Sequence, residues 1–474
     1  MQRHIAIHWF RQDLRLADNP ALTQAATHTH VLPIYILDDN HAGDYALGGA
    51  SRWWLYYSLL SLRDSLNGHL SIYQGDPLEV LLDITRRLPI SAVYWNRCYA
   101  PWQRQRDTQI KQRLKDTGIA ASSKNGSLLW EPWTIQKKDN TPYKVFTPFY
   151  QKGCLQSPPP RTPVTKPDNM RCLRDEQALA DIPADHLLPT IRWDAQLEPH
   201  WRIGEEAAQQ RLQTFMAEGL AYYKEQRNFP ARPAVSRLSP YLRFGEISPN
   251  QLWYVVQSRE SDPHIAHFCS ELGWREFSYS QLYHNPDLPT KNLQAKFDAF
   301  PWVENQKWLR AWQRGLTGIP MVDAGMRELW QTGYMHNRVR MVVGSFLVKN
   351  LRLHWQHGAR WFWNTLVDAD LANNSASWQW IAGCGADAVP YFRIFNPVTQ
   401  GQKFDPDGRY IRCFIPEIAH LPDHYLFSPW QAPEQILRDA AVKLGDTYPV
   451  PIIDLKQSRE AALAAFQSLT HSSA

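Results

Sequence analysis

The sequence has few of the features that hold a metal, a disulfide framework or a membrane anchor. Its six cysteines are scattered, and no two show the Cys-x-x-Cys spacing of zinc, iron–sulfur or dithiol redox sites. No run reaches the roughly 18 apolar residues of a membrane span, and charged residues interrupt the N-terminal stretch that would be apolar in a signal peptide. We therefore expect no metal site, no membrane association, reduced thiols and a cytoplasmic location.

A standard dinucleotide-binding fingerprint is also missing. No Gly-x-Gly-x-x-Gly follows the first apolar segment, and a looser match at 383–388 lacks a preceding strand signal. The sequence is instead rich in tryptophan, with 21 among 474 residues. At 44% hydrophobic and 20% charged, it predicts a globular protein of two or three domains. The net charge of +5 is compatible with a polyanionic partner but does not require one.

Residues 1–130 alternate short apolar segments with amphipathic or charged ones. Residues 5–10, 31–37 and 92–96 predict strands, and residues 102–117 predict a charged helix. Strands that alternate with helices in this way are typical of a doubly wound parallel sheet. The sequence therefore predicts an N-terminal α/β domain of the Rossmann-like class.

Beyond residue 130 the pattern changes twice. Residues 131–200 have little periodicity and include eight prolines between positions 158 and 199, which indicates a long interdomain connector. Residues 201–474 show helical periodicity and few strand signals, so we predict an all-α domain. Within it, segment 361–400 holds four tryptophans. This segment is either a Trp-rich core with Asn373 and Asn374 as cap or turn residues, or a wall around a flat aromatic ligand.

Seven sequence blocks carry a resemblance to a known family. They are WFRQDLRLADNPAL at 9–22, YKEQRNFPA at 223–231, SRLSPYLRFGEISP at 236–249, ELGWREF at 271–277, TGYMHNRVRM at 332–341, DADLANNSASWQW at 368–380 and YFRIFNPVTQGQKFD at 391–405. In order and spacing they resemble the DNA photolyase and cryptochrome family, most closely its class I cyclobutane pyrimidine dimer (CPD) photolyases. The resemblance implies an α/β antenna domain, followed by a helical domain that binds FAD and DNA.

The activity implied by this resemblance is light-dependent repair of UV-damaged DNA. An electron passes from photoexcited reduced FAD to a pyrimidine dimer that is flipped out of the duplex, which makes the protein a carbon–carbon lyase. The resemblance implies a monomer with no obligate protein partner. A cryptochrome-like blue-light photoreceptor without repair activity, or a repair enzyme restricted to single strands, remain alternatives.

The resemblance also assigns residues to the cofactor. The residues it places against FAD are Tyr223, Val235, Ser236, Arg237, Leu238, Ser239, Arg275, Asn337, Asp368, Ala369, Asp370 and Asn374. Val235 stands where the family usually has Thr, so one hydroxyl partner of the FAD phosphates is lost. Asn374 faces flavin N5 and can form a hydrogen bond without giving up a proton, which favours a flavin kept fully reduced.

Further residues are assigned to chemistry and to DNA. The implied catalytic residues are Glu271, Asn337, Asn374 and the tryptophan relay Trp378, Trp355 and Trp302. The implied lesion and DNA contacts are Arg227, Glu271, Trp274, Arg338, Met341, Trp380 and Gln400. For the light-harvesting antenna, Trp102 and Gln103 replace the Asn-Glu pair of folate-binding members. Methenyltetrahydrofolate in another pose, 8-hydroxy-deazaflavin and no antenna therefore stay open, with folate slightly favoured.

Overall fold

The structure is a computed structural model that describes residues 4–259 and 262–471. The described residues form two compact units, each assembled from separate stretches of chain. Unit 1 holds the residues up to Ala221 together with Ser236–Pro286 and Val367–Ala372. Unit 2 holds Tyr222–Val235, Asp287–Leu366 and the residues from Asn373 onward. The domain boundaries near residues 130 and 200 remain a prediction.

Unit 1 is built on a five-stranded parallel sheet with the strand order β3-β2-β1-β4-β5. The strands are β1 (Ile5–Phe10), β2 (His30–Leu37), β3 (Ser71–Gln74), β4 (Ile90–Asn96) and β5 (Ala120–Lys124). The chain runs from β1 outward through β2 to β3, and then returns to pair β4 with β1. This reversal is the doubly wound topology, so the predicted α/β class is confirmed.

The core of the sheet explains why its central strands are apolar along their whole length. Every residue of β1 is buried, as expected for a strand covered on both faces. Ile7, Ile34 and Val93, from three adjacent strands, are fully buried in one apolar cluster together with Trp9 and Trp95. In contrast, β5 reads Ala-Ala-Ser-Ser-Lys and lies at the sheet edge. It has no apolar run, which is why the sequence did not predict it.

The helices of unit 1 begin at recognisable caps. The Asp76 side chain accepts a hydrogen bond from Leu78 N just before Pro77 starts a helix, and Ser248 with Gln251 forms a complete capping box. The helices of this unit are Pro20–Ala25, Gly49–Ser65, Pro77–Arg87, Pro101–Asp116, Phe146–Pro148, Ala184–Leu187, Glu205–Thr214, Ser239–Phe244, Pro249–Gln257 and Pro263–His284. The last of these carries three of the residues assigned to FAD, the lesion or catalysis, namely Glu271, Trp274 and Arg275.

Unit 2 is helical throughout its regular structure, as the sequence predicts. Its helices are Tyr223–Gln226, Gln306–Gln313, Pro320–Thr332, Asn337–Ser345, Trp355–Thr365, Leu371–Ala382, Pro397–Phe404, Arg409–Phe414, Asp423–Leu426, Glu434–Asp439 and Leu455–His471. The Leu371–Ala382 helix starts in unit 1 and continues in unit 2. Asn373 and Asn374 lie inside it, so the interpretation of these two residues as caps or turn residues is wrong.

Across residues 4–259 and 262–471, no helix has both the length and the apolar character needed to cross a membrane.

Candidate functional site

The short segment Asp368–Asp370 in unit 1 is held by three side-chain donors. Asp368 accepts a hydrogen bond from the Ser239 hydroxyl at 2.6 Å. Asp370 accepts one from the Tyr279 phenol, also at 2.6 Å. The carbonyl of Ala369, between the two acids, accepts from the Arg243 guanidinium. Both carboxylates are buried, so these bonds fix their orientation and offset much of their desolvation cost.

The Pro263–His284 helix places a charged pair beside this segment. Arg275 pairs with the neighbouring Glu276 at 3.2 Å, and its guanidinium carbon lies 4.9 Å from the centre of the Tyr279 ring. Burial raises the pKa of Glu276 to about 7, although Arg275 and the backbone N–H of Trp130 oppose the rise. Burial alone would lower the pKa of Arg275, but Tyr279, Glu276 and Asp370 raise it above its usual value.

The same helix carries Glu271, one turn before Arg275, and Trp274, immediately before it; these are the unit 1 residues assigned to the lesion. Trp274 is half-buried and stacks on Phe146, with ring centres 3.8 Å apart and the planes 10° from parallel. Phe277 meets the same indole edge-on. The indole therefore has a fixed orientation, as a stacking surface for a base requires.

The phosphate-binding segment predicted around Ser236–Ser239 contains a strained residue. Arg237 has a φ of 53°, a left-handed conformation that is uncommon outside glycine and often found at functional sites. Its guanidinium carbon lies 4.6 Å from the Trp201 ring centre, and the Ser236 carbonyl accepts from Arg211 at 2.7 Å. Leu238 is buried next to them. In unit 2, Val235 is half-buried and Tyr223 is buried.

In unit 2 the Asn374 amide has a defined orientation. Its nitrogen donates to the Ala359 carbonyl at 3.0 Å. The amide oxygen is the atom that this arrangement leaves for a ligand donor. One turn further along the helix, the buried Trp378 indole meets Phe362 and Trp312 edge-on, at 4.9 and 6.2 Å between ring centres.

The other two tryptophans that the resemblance assigns to a relay both contact a histidine that the sequence reasoning missed. His354 meets Trp302 edge-on at 4.9 Å and stacks with Trp355 at 5.6 Å. The Trp355 indole N–H donates to Asn292 at 2.8 Å. Burial, together with the nearby His357 and Arg360, lowers the pKa of His354 to about 4. The imidazole between the two indoles is therefore neutral at physiological pH.

Residues assigned to DNA cluster around a buried histidine of unit 2. Arg338 donates to the Asn228 side chain at 2.8 Å and lies over the Phe404 ring at 4.4 Å. Burial, together with Arg227, Arg340 and Arg338, lowers the pKa of His336 to about 3. Asn337, on the first turn of the next helix, is exposed. This cluster concentrates positive charge, as a phosphate-binding surface requires.

The remaining assigned side chains of unit 2 are Met341, Trp380 and Gln400, all half-buried. In unit 1, Trp102 and Gln103 lie in the first turn of the Pro101–Asp116 helix. Gln103 is buried, and the Trp102 ring lies 5.1 Å from the Arg106 guanidinium. Within the described part of the chain, no cluster of three or more His, Cys, Asp or Glu side chains could hold a metal ion.

The donors and acceptors present suit a flavin nucleotide. Unit 1 offers two oriented carboxylates for sugar or amine groups, and Arg275 for negative charge on a reduced ring. Unit 2 offers the Asn374 amide oxygen, which can accept a hydrogen bond from a ring N–H. Tyr279 and Arg243 support these residues but were missed. Tyr279 follows Arg275 by four residues on one helix, a spacing that could have identified it.

The comparisons with known proteins agree with this chemistry. Residues 6–168 match the family model for DNA photolyase, and residues 268–468 match the FAD binding domain of DNA photolyase. The chain is 45% identical to a deoxyribodipyrimidine photo-lyase of Agrobacterium fabrum, with 98% of each chain covered. It is also 35% identical to cryptochrome-1 of Arabidopsis thaliana, covering 96% of this chain and 69% of that protein.

A solved structure extends the match to three dimensions. A bacterial class III photolyase from Agrobacterium tumefaciens superimposes with a TM-score of 0.94 at 43% identity, covering 99% of this chain and 98% of that one. Its subclass differs from the class I photolyases to which the sequence blocks were compared. The chain thus belongs to the DNA photolyase and cryptochrome family and carries the FAD-binding domain of that family.

Proposed function

We propose that this protein uses light and FAD to repair cyclobutane pyrimidine dimers in DNA. The observation that carries the proposal is the Asn374 amide, whose nitrogen is engaged by the Ala359 carbonyl. The oxygen is then the atom available to flavin N5, where it accepts a hydrogen bond and holds the N5 proton in place. An amide has no acidic proton to deliver, so the residue favours a persistently reduced cofactor over a signalling cycle.

FAD is anchored in this proposal by the two oriented acids of unit 1 and by the segment around Arg237. When bound and reduced, FAD would supply an electron on illumination and recover it once the two cyclobutane bonds have opened, so that the reaction has no net redox change. Asp368 and Asp370 hold polar groups of the cofactor, and Arg275 stabilises negative charge beside them. Val235 supplies no hydroxyl, so the phosphates depend more on the Ser236 hydroxyl and on backbone N–H groups.

The lesion is held by side chains of different chemistry. Trp274 and Trp380 supply flat apolar surfaces for the two pyrimidine rings, and Met341 adapts to the cyclobutane edge. Glu271 and Asn337 supply hydrogen-bonding groups for the carbonyl and N–H edges. A base that has left the stack loses its pairing partners, and these groups replace them.

DNA outside the lesion is held by positive charge. Arg227, Arg338 and Gln400 are assigned to DNA, and the two guanidinium groups suit phosphate oxygens. Arg338 is braced by Asn228 and by the Phe404 ring. A braced guanidinium loses less side-chain entropy on binding than a free one. These contacts position the strand and carry no sequence preference.

The experiment that tests the proposal uses the purified protein in two steps. An absorption spectrum reports whether a flavin is bound and whether a pterin or deazaflavin accompanies it. Illumination with a dimer-bearing oligonucleotide under reducing conditions then reports repair, with a dark sample as control. We expect bound flavin and light-dependent restoration of intact pyrimidines. A protein without flavin, or lesions that persist after illumination, would contradict the proposal. Bound flavin with persistent lesions would instead favour a cryptochrome-like photoreceptor.

Substrate form is tested in the same assay. Duplex and single-stranded oligonucleotides that carry the same dimer are compared at equal concentration. Comparable rates are expected for a general repair enzyme, and repair confined to the single strand would indicate a specialised member.

A further inference from the structure

Tyr279 lies against two of the residues assigned to FAD. Its phenol donates to Asp370 at 2.6 Å, and its ring lies 4.9 Å below the Arg275 guanidinium carbon. Arg275 and Tyr279 are four residues apart on the Pro263–His284 helix, and therefore share one face. A single side chain thus contacts both an acid and a base of the candidate flavin site.

The opposite charges of Arg275 and Asp370 each have another partner. Arg275 pairs with Glu276, and Asp370 takes the Tyr279 phenol. Tyr279 supplies the hydrogen bond that Asp370 needs without neutralising its charge. The ring of the same residue lies against the Arg275 guanidinium, so one side chain orients both groups.

The phenol is held in position from its other side. The Tyr279 ring meets Tyr99 edge-on, with centres 5.9 Å apart and planes at 86°. The Tyr99 hydroxyl donates to Glu131 at 2.9 Å, and Arg97 donates to the same carboxylate at 2.6 Å. Burial raises the pKa of Tyr279 well above its ordinary value, and the nearby Asp370 carboxylate raises it further. The phenol therefore stays protonated and remains a donor.

We propose that Tyr279 is a positioning residue for FAD, which orients the Asp370 carboxylate and the Arg275 guanidinium toward the cofactor. The inference rests on the proposed function, because the roles of Asp370 and Arg275 toward FAD come from it. Tyr279 acts through these two residues.

The test replaces Tyr279 with Phe, which removes the hydroxyl and keeps the ring. The matched control is Tyr283→Phe, which makes the same change one turn later on the same helix. Three quantities are measured for both variants and the wild type: the FAD dissociation constant of the apoprotein, the midpoint potential of bound FAD, and the thermal midpoint of the apoprotein. We expect Tyr279→Phe to weaken FAD binding about tenfold, the equivalent of about 1.4 kcal/mol, and to change the potential. Tyr283→Phe should change neither.

A double-variant cycle assigns the effect to Asp370. In the Asp370→Asn background, Tyr279→Phe should weaken FAD binding by much less than tenfold, because the charged partner of the phenol is already gone. Tyr279→Gln keeps a donor and loses the ring, and also serves if the Phe variant does not fold. Tyr279→Gln should bind FAD more tightly than Tyr279→Phe does. If the Phe variant does not fold, the expectation is an FAD affinity for Tyr279→Gln within about threefold of the wild type.

Several results would overturn the inference. The first is that Tyr279→Phe matches Tyr283→Phe in FAD affinity and potential, even if the apoprotein is less stable. The second is that Tyr279→Phe weakens FAD binding by the same factor with Asp370 and with Asn at position 370. The third is that Tyr279→Gln binds FAD ten times more weakly than the wild type, or worse. A wild-type protein that binds FAD but repairs no dimer would contradict the proposed function alone. A wild type that binds no FAD would overturn both.

Discussion

The Trp378 indole lies directly against the Cα of Gly358. A Cβ added to Gly358 would lie 2.1 Å from Cη2 of the indole and 2.5 Å from two of its other ring carbons. Gly358 lies within the Trp355–Thr365 helix, where glycine is otherwise unfavourable relative to alanine. The glycine is therefore explained by the indole that covers it.

Gly358→Ala is expected to displace Trp378 and to destabilise the protein by about 1–3 kcal/mol, a typical cost of overpacking. Thermal unfolding measures the loss. Light-driven reduction of the bound flavin should also slow, because Trp378, which is assigned to the electron relay, has moved. Gly344→Ala is the matched control, since its added Cβ would meet Ile381 at 3.3 Å and Trp378 only at 3.7 Å. Equal losses in both variants would argue against a specific role for the Gly358 contact.

Trp378→Phe should separate the two light reactions. It keeps an aromatic ring against Phe362 but removes the readily oxidised indole. Flavin photoreduction from the oxidised state is expected to fall strongly, while repair by chemically reduced protein stays near the wild-type rate. Absorbance during illumination reports the first reaction, and dimer loss the second. Trp330→Phe, at a partly exposed tryptophan stacked on Trp361, is the comparison. Photoreduction that survives in Trp378→Phe would remove this residue from the relay.

Stability should fall with rising pH because of Glu246. This buried carboxyl accepts from the Trp54 indole and the Ser58 hydroxyl, and burial raises its pKa to about 8. Between pH about 5 and 8, the folded state holds a proton that the unfolded state has already released. Stability from this group is therefore present at low pH and is lost as pH rises through 8, by roughly 3–5 kcal/mol.

Glu246→Gln carries no titrating proton and should remove that part of the slope. Thermal midpoints of the two proteins, measured across this pH range, check the expectation. The thermal midpoint of the wild type should fall more than that of Glu246→Gln as the pH rises to about 8. Parallel curves for the two proteins would show that Glu246 does not titrate in this window.

Arg338→Ala should weaken DNA binding without altering sequence preference. One phosphate contact is lost, so affinity falls for all sequences and the slope of log affinity against log salt decreases in magnitude by about 1. Titrations at several salt concentrations measure both. The control is Arg438→Ala, an exposed cation paired with Glu434. If Arg438→Ala changes the slope equally, the effect reflects general charge.

The sequence predicted the features that depend on apolar runs and on family blocks. Residues 5–10 and 92–96 read as strands because they are buried on both faces, whereas β5 has small and polar residues and gave no signal. Asn374 was identified as a site residue by resemblance, but its place inside a helix depends on packing that local turn preferences do not encode. His354 was missed because it contacts Trp302, which is distant in sequence. For Tyr279, only the contact with Arg275 is local, whereas its hydrogen bond to Asp370 spans distant parts of the chain.

The ion pairs at the carboxyl edge of the sheet have a practical consequence for DNA-binding titrations at different salt concentrations. Arg11 pairs with Asp107 there, and Arg106 pairs with both Asp107 and Asp38. These side chains are almost inaccessible to water, so dissolved ions screen them little. Added salt will therefore weaken the contacts between DNA and the exposed cations, while these buried ion pairs stay intact. A fall in DNA affinity with ionic strength can then be interpreted as counterion competition rather than as a loss of structure in unit 1.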